Sequence, residues 1–170
     1  MSVKGTNPDF EVAASLLEKW EPQWKPLRNG DKKVLMWDYR TRERIPVVYR
    51  FVIAKDREIF TIYVGSGCNL SYKSGVPLVK QYRSGQHAKK IIWDILVETE
   101  IFKKRGYEAW TEIIEIDEET KRLLTENLAI CKYWIEYLRK SDSETPKFLN
   151  KRIEKLPEIN DYIKALGLLE

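Results

Sequence analysis

Apolar residues recur at helical spacing at Phe10, Ala13, Leu16, Leu17 and Trp20. With Asn7-Pro8 as cap and first-turn proline, they predict a helix to about Trp20, broken by Pro22 and Pro26. Asn29-Gly30-Asp31 marks a turn, and Lys33 to Tyr39 reads as a strand. Val47 to Ile53 is nearly continuous in apolar and β-branched residues, the pattern of a central strand covered on both faces. Lys55-Asp56-Arg57-Glu58 makes a charged turn, Ile59 to Val64 returns as the partner strand, and Gly65-Ser66-Gly67 ends it. Ala88, Ile91, Ile92, Ile95, Leu96 and Phe102 describe an amphipathic helix stopped by Gly106. Tyr107 to Ile116 is another strand, and Asp117 can cap a helix to about Arg139 on the stripe Leu124, Leu128, Cys131, Ile135 and Leu138. A final helix is expected from about Lys151. This order predicts one α+β domain over residues 1–170, a small central antiparallel three-stranded sheet flanked by helices.

At 170 residues the chain can build one domain with a substantial core but hardly two. No apolar run is long enough to span a bilayer, and the first residues carry no hydrophobic signal segment, so a cytoplasmic protein is expected. Cys68, Cys131 and a single histidine argue against a zinc site of the usual four ligands. A metal, if used, is expected to be a hard cation such as Mg²⁺ on carboxylate oxygen. The six tryptophans occupy apolar positions and are expected in the core.

Charge changes the picture through its distribution. The net charge is only +4, yet Ile59 to Trp93 contains no Asp or Glu, while holding Lys73, Lys80, Arg83, His87, Lys89 and Lys90. A third of the chain is charged, so this gap predicts a surface facing a polyanion. Arg40, Arg42 and Arg44 add a second basic cluster. On the long helix, Glu136 falls on a polar stripe, Thr125, Ala129, Lys132, Glu136 and Lys140, where it can pair with Lys140. Glu126 instead leads the apolar stripe Ile130, Tyr133, Tyr137, where a carboxylate is costly without a partner such as a cation.

Val47-Val48-Tyr49 followed by Tyr63-Val64-Gly65 resembles the paired signature of the GIY-YIG nucleases, with valine replacing the first Gly and Ile. Arg83-Ser84-Gly85-Gln86-His87 resembles the family's Arg-x-x-x-His. Glu126 resembles its helix-borne metal-binding glutamate, and Pro146 to Asn150 its terminal Pro-x-x-Asn with one extra residue. The resemblance covers about residues 47–150, leaving 1–46 and 151–170 as additions. It implies divalent-metal-dependent phosphodiester cleavage, with Mg²⁺ or Mn²⁺ on Glu126 and Tyr49, Tyr63, Arg83, His87 and Glu126 as catalytic residues. Tyr63 would accept a proton from water once nearby cations lower its phenol pKa, Arg83 would bind the phosphate, and His87 would shuttle protons. Lys73, Lys80, Gln86, Lys89, Lys90, Arg40, Arg42, Arg44 and Asn150 would contact DNA, with Gln81 a further base reader. The family's small restriction endonucleases are the nearest in build. The expectation is therefore a type II restriction endonuclease on double-stranded DNA, a homodimer, with a companion methyltransferase a possible partner that the sequence leaves open. A repair or phage structure-selective nuclease and a non-catalytic nucleic-acid-binding domain are the alternatives. Tyr49 and Tyr63 share a sheet face only if the hairpin has a three-residue turn or a bulge.

Overall fold

The computed structural model describes residues 8–39, 45–70, 82–83, 88–140 and 146–150. In chain order these form α1 (Pro8–Lys19), β1 (Lys25–Pro26), β2 (Arg28–Asn29), β3 (Lys32–Lys33), β4 (Ile45–Lys55) and β5 (Glu58–Leu70). Next come α2 (Ala88–Trp93), a π-helical turn (Asp94–Glu98), α3 (Ile101–Lys104), β6 (Glu108–Glu115) and α4 (Glu119–Lys140). The protein is α+β. An antiparallel sheet of order β1-β6-β4-β5 is flanked by helices, and β2 and β3 form a separate two-stranded ribbon.

The apolar run expected as a central strand is β4, hydrogen-bonded on both sides. Its alternate residues feed two cores, because successive strand side chains point to opposite faces. Val47, Tyr49, Phe51 and Ile53 pack with Ile92, Trp93, Leu96 and Ile113. Val48 on the other face packs with Val64, Ala129, Ile130, Tyr133 and Phe148 under α4. Each such side chain taken fully from water contributes about 1.5–3 kcal/mol. On the α4 side, Arg50 is held by Glu112 (Nε–Oε1 2.9 Å), Thr61 and the Tyr133 hydroxyl, so its buried charge is fully partnered.

Several predicted elements differ in extent. The third sheet neighbour of the prediction is joined by a fourth, β1. Its Pro26 has no N–H to donate and is tolerated because β1 is an edge strand. The strand expected over Lys33 to Tyr39 is only the two residues of β3. Met36 N donates to the Thr111 hydroxyl (2.9 Å) rather than to a strand, and Asp38 N bonds Leu35 O, curling the chain. Strand β5 does not stop at Gly65 but continues through it to Leu70. The helix expected from Ala88 to Phe102 is interrupted. Thr99 bonds Asp94 O through both its N–H (2.8 Å) and its hydroxyl (3.0 Å), closing a π turn, and Glu100 takes a left-handed φ of 48°. Gly106, at φ 89°, does end the last turn.

On α4 the stripe Leu128, Cys131, Ile135 is buried as expected, but Leu138 is exposed. The stripe read as polar is a helix seam: Thr125, Ala129 and Lys132 are buried, and Lys132 Nζ donates to Leu17 O and Glu18 O of α1. Glu136 pairs with Lys132, one turn before it, at 3.3 Å; the side chain of the expected partner Lys140, one turn after it, lies outside the described residues. Trp93 and Trp110 are buried, and Trp20, Trp24, Trp37 and Trp134 are half-buried against the two cores. No described helix is long and apolar enough to cross a membrane. The expected helix from Lys151 lies outside the described residues.

Candidate active site

The site begins with the hairpin register. The turn Asp56-Arg57 is a two-residue loop with both φ positive (53° and 69°), the geometry that matches strand twist. From that turn alone Tyr63 would face away from Tyr49. A bulge at Ile62, between the pairs Phe51↔Tyr63 and Val52↔Thr61, shifts the register by one residue. Tyr49 then opposes Gly65, Phe51 opposes Tyr63, and both tyrosines share one face. The bulge is what makes a paired-tyrosine site geometrically possible.

Gly65 has its own reason. A Cβ there would lie 2.5 Å from Tyr49 Cζ and closer still to its hydroxyl oxygen, so the Tyr49 ring lies across β5 where only glycine leaves room. The phenol is fully buried and hydrogen-bonded to the hydroxyl of Tyr82, itself fully buried. Tyr63, half-buried, packs edge-on to Tyr82 at 6.4 Å and 89°. Tyr82 is the residue that the sequence reading missed. Its only signal is a tyrosine immediately before Arg83 in the acid-free stretch.

Glu126 enters from α4. Its Oε1 accepts a hydrogen bond from Ser66 Oγ (2.7 Å), one residue past Gly65. Burial raises its carboxyl pKa above the ordinary 4.5, while the Ser66 bond and the charge of Lys89 pull the other way. Its charge in turn reaches all three phenols. Tyr63 is raised first by burial and then by Glu126. Tyr49 and Tyr82 are raised above the usual range by burial foremost, with neighbouring phenols and Glu126 adding to it. Lys89 Nζ also stands 5.8 Å from the centre of the Tyr82 ring. Ser66 was not anticipated either; it had been read as part of a strand-ending glycine turn.

The structure therefore brings together Tyr49, Tyr63, Glu126 and the expected DNA-contact residue Lys89, adds Tyr82 and Ser66, and places Arg83 exposed directly after buried Tyr82. The Tyr63 phenol is pushed up, by burial foremost and then by the Glu126 charge. Asn150 is buried with both amide atoms on one peptide: Oδ1 accepts from Val64 N (2.7 Å) and Nδ2 donates to Val64 O (2.8 Å). An amide so engaged holds the strand between Tyr63 and Gly65 and has little left for DNA. Lys90 is exposed and paired with Asp94 at 3.1 Å. Lys73, Lys80, Gln81, Gln86, His87, Arg40, Arg42 and Arg44 lie outside the described residues.

No group of three or more His, Cys, Asp or Glu able to hold a metal occurs among the described residues. The half-buried Glu126 carboxylate, its pKa raised and a hydroxyl beside it, fits a hard cation completed by phosphate oxygens and water, as Mg²⁺ prefers, and does not fit zinc. A groove of about 870 Å³ lies elsewhere, between α1, α4 and the hairpin. Its lining includes Glu18, Glu21, Asp56, Glu58 and Glu136 against Arg50, Lys55 and Lys132, the wrong balance for a polyanion. No protein-family model, curated protein or solved structure matches the chain.

Proposed function

We propose that this protein is a divalent-metal-dependent endonuclease of the GIY-YIG type, acting as a type II restriction enzyme on double-stranded DNA. One observation carries the reading. The bulged hairpin sets Tyr49 and Tyr63 on one face, with a half-buried glutamate from α4 in electrostatic reach of both and Tyr63 near the start of the acid-free segment. That is the order and pairing that the resemblance implies, reached through a register the sequence does not specify.

In the proposed reaction a water oxygen bonds to phosphorus as the P–O bond to the leaving sugar oxygen breaks, and that oxygen takes up a proton from solvent water to become the product hydroxyl. Arg83 is suited to the nonbridging oxygens, with a permanent planar cation that forks onto phosphate. Tyr63, its phenol raised by burial and by the Glu126 charge, would orient the water. His87 would take the proton of that water. Glu126 would hold Mg²⁺, which when bound supplies Lewis-acid polarisation of the phosphate. Lys89 adds a second cation beside Glu126. A homodimer would cut both strands of a palindromic site, one protomer per strand.

The test is incubation of the purified protein with unmodified bacteriophage DNA and Mg²⁺. Discrete, reproducible fragments are expected, with chelator abolishing them. Tyr63→Phe, Arg83→Ala and Glu126→Gln should each lose on the order of 10²–10³ in rate, the usual cost of one charge-stabilising group. Nicking confined to branched or damaged DNA would reassign the protein to a structure-selective role. Salt-sensitive DNA binding without cleavage would make it a binding domain.

A further inference from the structure

We propose that Tyr82 is a positioning residue for this site, and the inference rests on the nuclease reading. Its hydroxyl locks Tyr49, its ring walls Tyr63 and underlies Lys89, and its burial fixes where Arg83 leaves the surface. Tyr82 is fully buried, and its hydroxyl and that of Tyr49 bond to each other. Two buried phenylalanines would fill the same space without any hydroxyl to desolvate. Replacing both partners of a buried hydrogen bond by apolar groups is often neutral or stabilising. Packing alone therefore does not account for the paired hydroxyls; a fixed relative position of the two rings does.

The ring contacts point the same way. Tyr82 meets Tyr49 at 6.4 Å and 67°, Phe51 at 5.4 Å and 79°, and Tyr63 at 6.4 Å and 89°, all edge-on. Trp37 closes a further side at 5.9 Å. Such edge-to-face contacts tie a ring's orientation to its neighbours, each worth about 0.5–1.5 kcal/mol beyond burial. Lys89, whose charge reaches Glu126, stands over the same ring. Arg83 is the next residue, exposed where Tyr82 is sunk, so the depth of Tyr82 sets the base of the arginine side chain.

Tyr82→Phe keeps the ring and removes only the hydroxyl. Steady-state cleavage should show kcat lowered about tenfold with KM and DNA affinity unchanged, because substrate still binds but the phosphate is held less well relative to Tyr63. The discriminating measurement is a double-mutant cycle with Arg83→Lys. If Tyr82 acts through Arg83, its loss costs far less in the Arg83→Lys background than in the wild type. Thermal melting of each variant separates folding from function. Full additivity of the two substitutions, or a kcat that merely follows the folded fraction, would overturn the positioning role while leaving the nuclease reading intact. A wild-type protein inert toward every DNA substrate would overturn the nuclease reading and this inference with it.

Discussion

At the scale of single residues, the most telling group is Glu126. Burial raises its carboxyl pKa, so the folded chain binds that proton more tightly than the unfolded chain does. The stability it contributes is complete below pH 4.5 and is lost as pH rises through the shifted value, leaving an ionised, partly desolvated carboxylate at neutral pH. Glu126→Gln should therefore raise the melting temperature at pH 7, and the gain should vanish near pH 4, as melting curves at the two pH values would show. The same substitution removes a negative charge that holds the Tyr63 phenol up, so tyrosinate absorbance should titrate at lower pH in Glu126→Gln. Glu126 was legible in the sequence because a carboxylate heading an apolar stripe is anomalous. Tyr82 was not, since a tyrosine in a loop declares neither its burial nor its partner.

At the scale of elements, the short stretch Tyr63-Val64-Gly65 is gripped from two sides. Tyr49 lies over Gly65 from β4, and Asn150 pairs with the Val64 peptide as a strand neighbour would, aided by Leu149 N to Ile62 O at 2.8 Å. These contacts cover an edge strand that would otherwise offer open hydrogen bonds. Gly65→Ala forces a methyl into the Tyr49 ring and should cost about 1–3 kcal/mol, the range for overpacking, read by denaturant unfolding. Asn150→Ala leaves the Val64 N–H and C=O without their partner. It should cost about 1–3 kcal/mol for each group that water cannot reach, and Asn150→Asp should restore only the N–H bond. Cleavage should fall in both Gly65→Ala and Asn150→Ala even where folding persists. The elements themselves were largely readable, since β4, β6 and α4 carry strong periodic patterns. The Ile62 bulge was not, because Ile59 to Val64 is apolar or β-branched on both faces and fits either register. The break at Thr99-Glu100 was hidden for a similar reason: the amphipathic pattern runs on through a π turn that local hydrogen bonds impose.

At the scale of the whole molecule, charge separates two regions. Of the phenol cluster, Tyr63 and Tyr82 belong to a segment without acids, with Arg83 and Lys89 in that same segment, whereas the groove between α1, α4 and the hairpin is lined by more carboxylates than cations. Arg50 there is satisfied by Glu112, Thr61 and Tyr133, and Lys132 by backbone carbonyls and Glu136, so two of the three cations lining that groove are already committed. A polyanion should approach from the phenol side and be repelled by the other. Affinity for DNA without divalent metal, measured by fluorescence anisotropy across salt concentrations, reports this directly, because each neutralised phosphate steepens the salt dependence. Arg83→Ala and Lys89→Ala should each reduce the slope by about 1 if each contacts one phosphate. Glu21→Lys and Glu58→Lys, on the groove, should leave the slope unchanged at the same ionic strengths. A steeper slope in those two variants would place the DNA across the groove and detach it from Tyr63 and Glu126, leaving the cluster without a phosphate to act on.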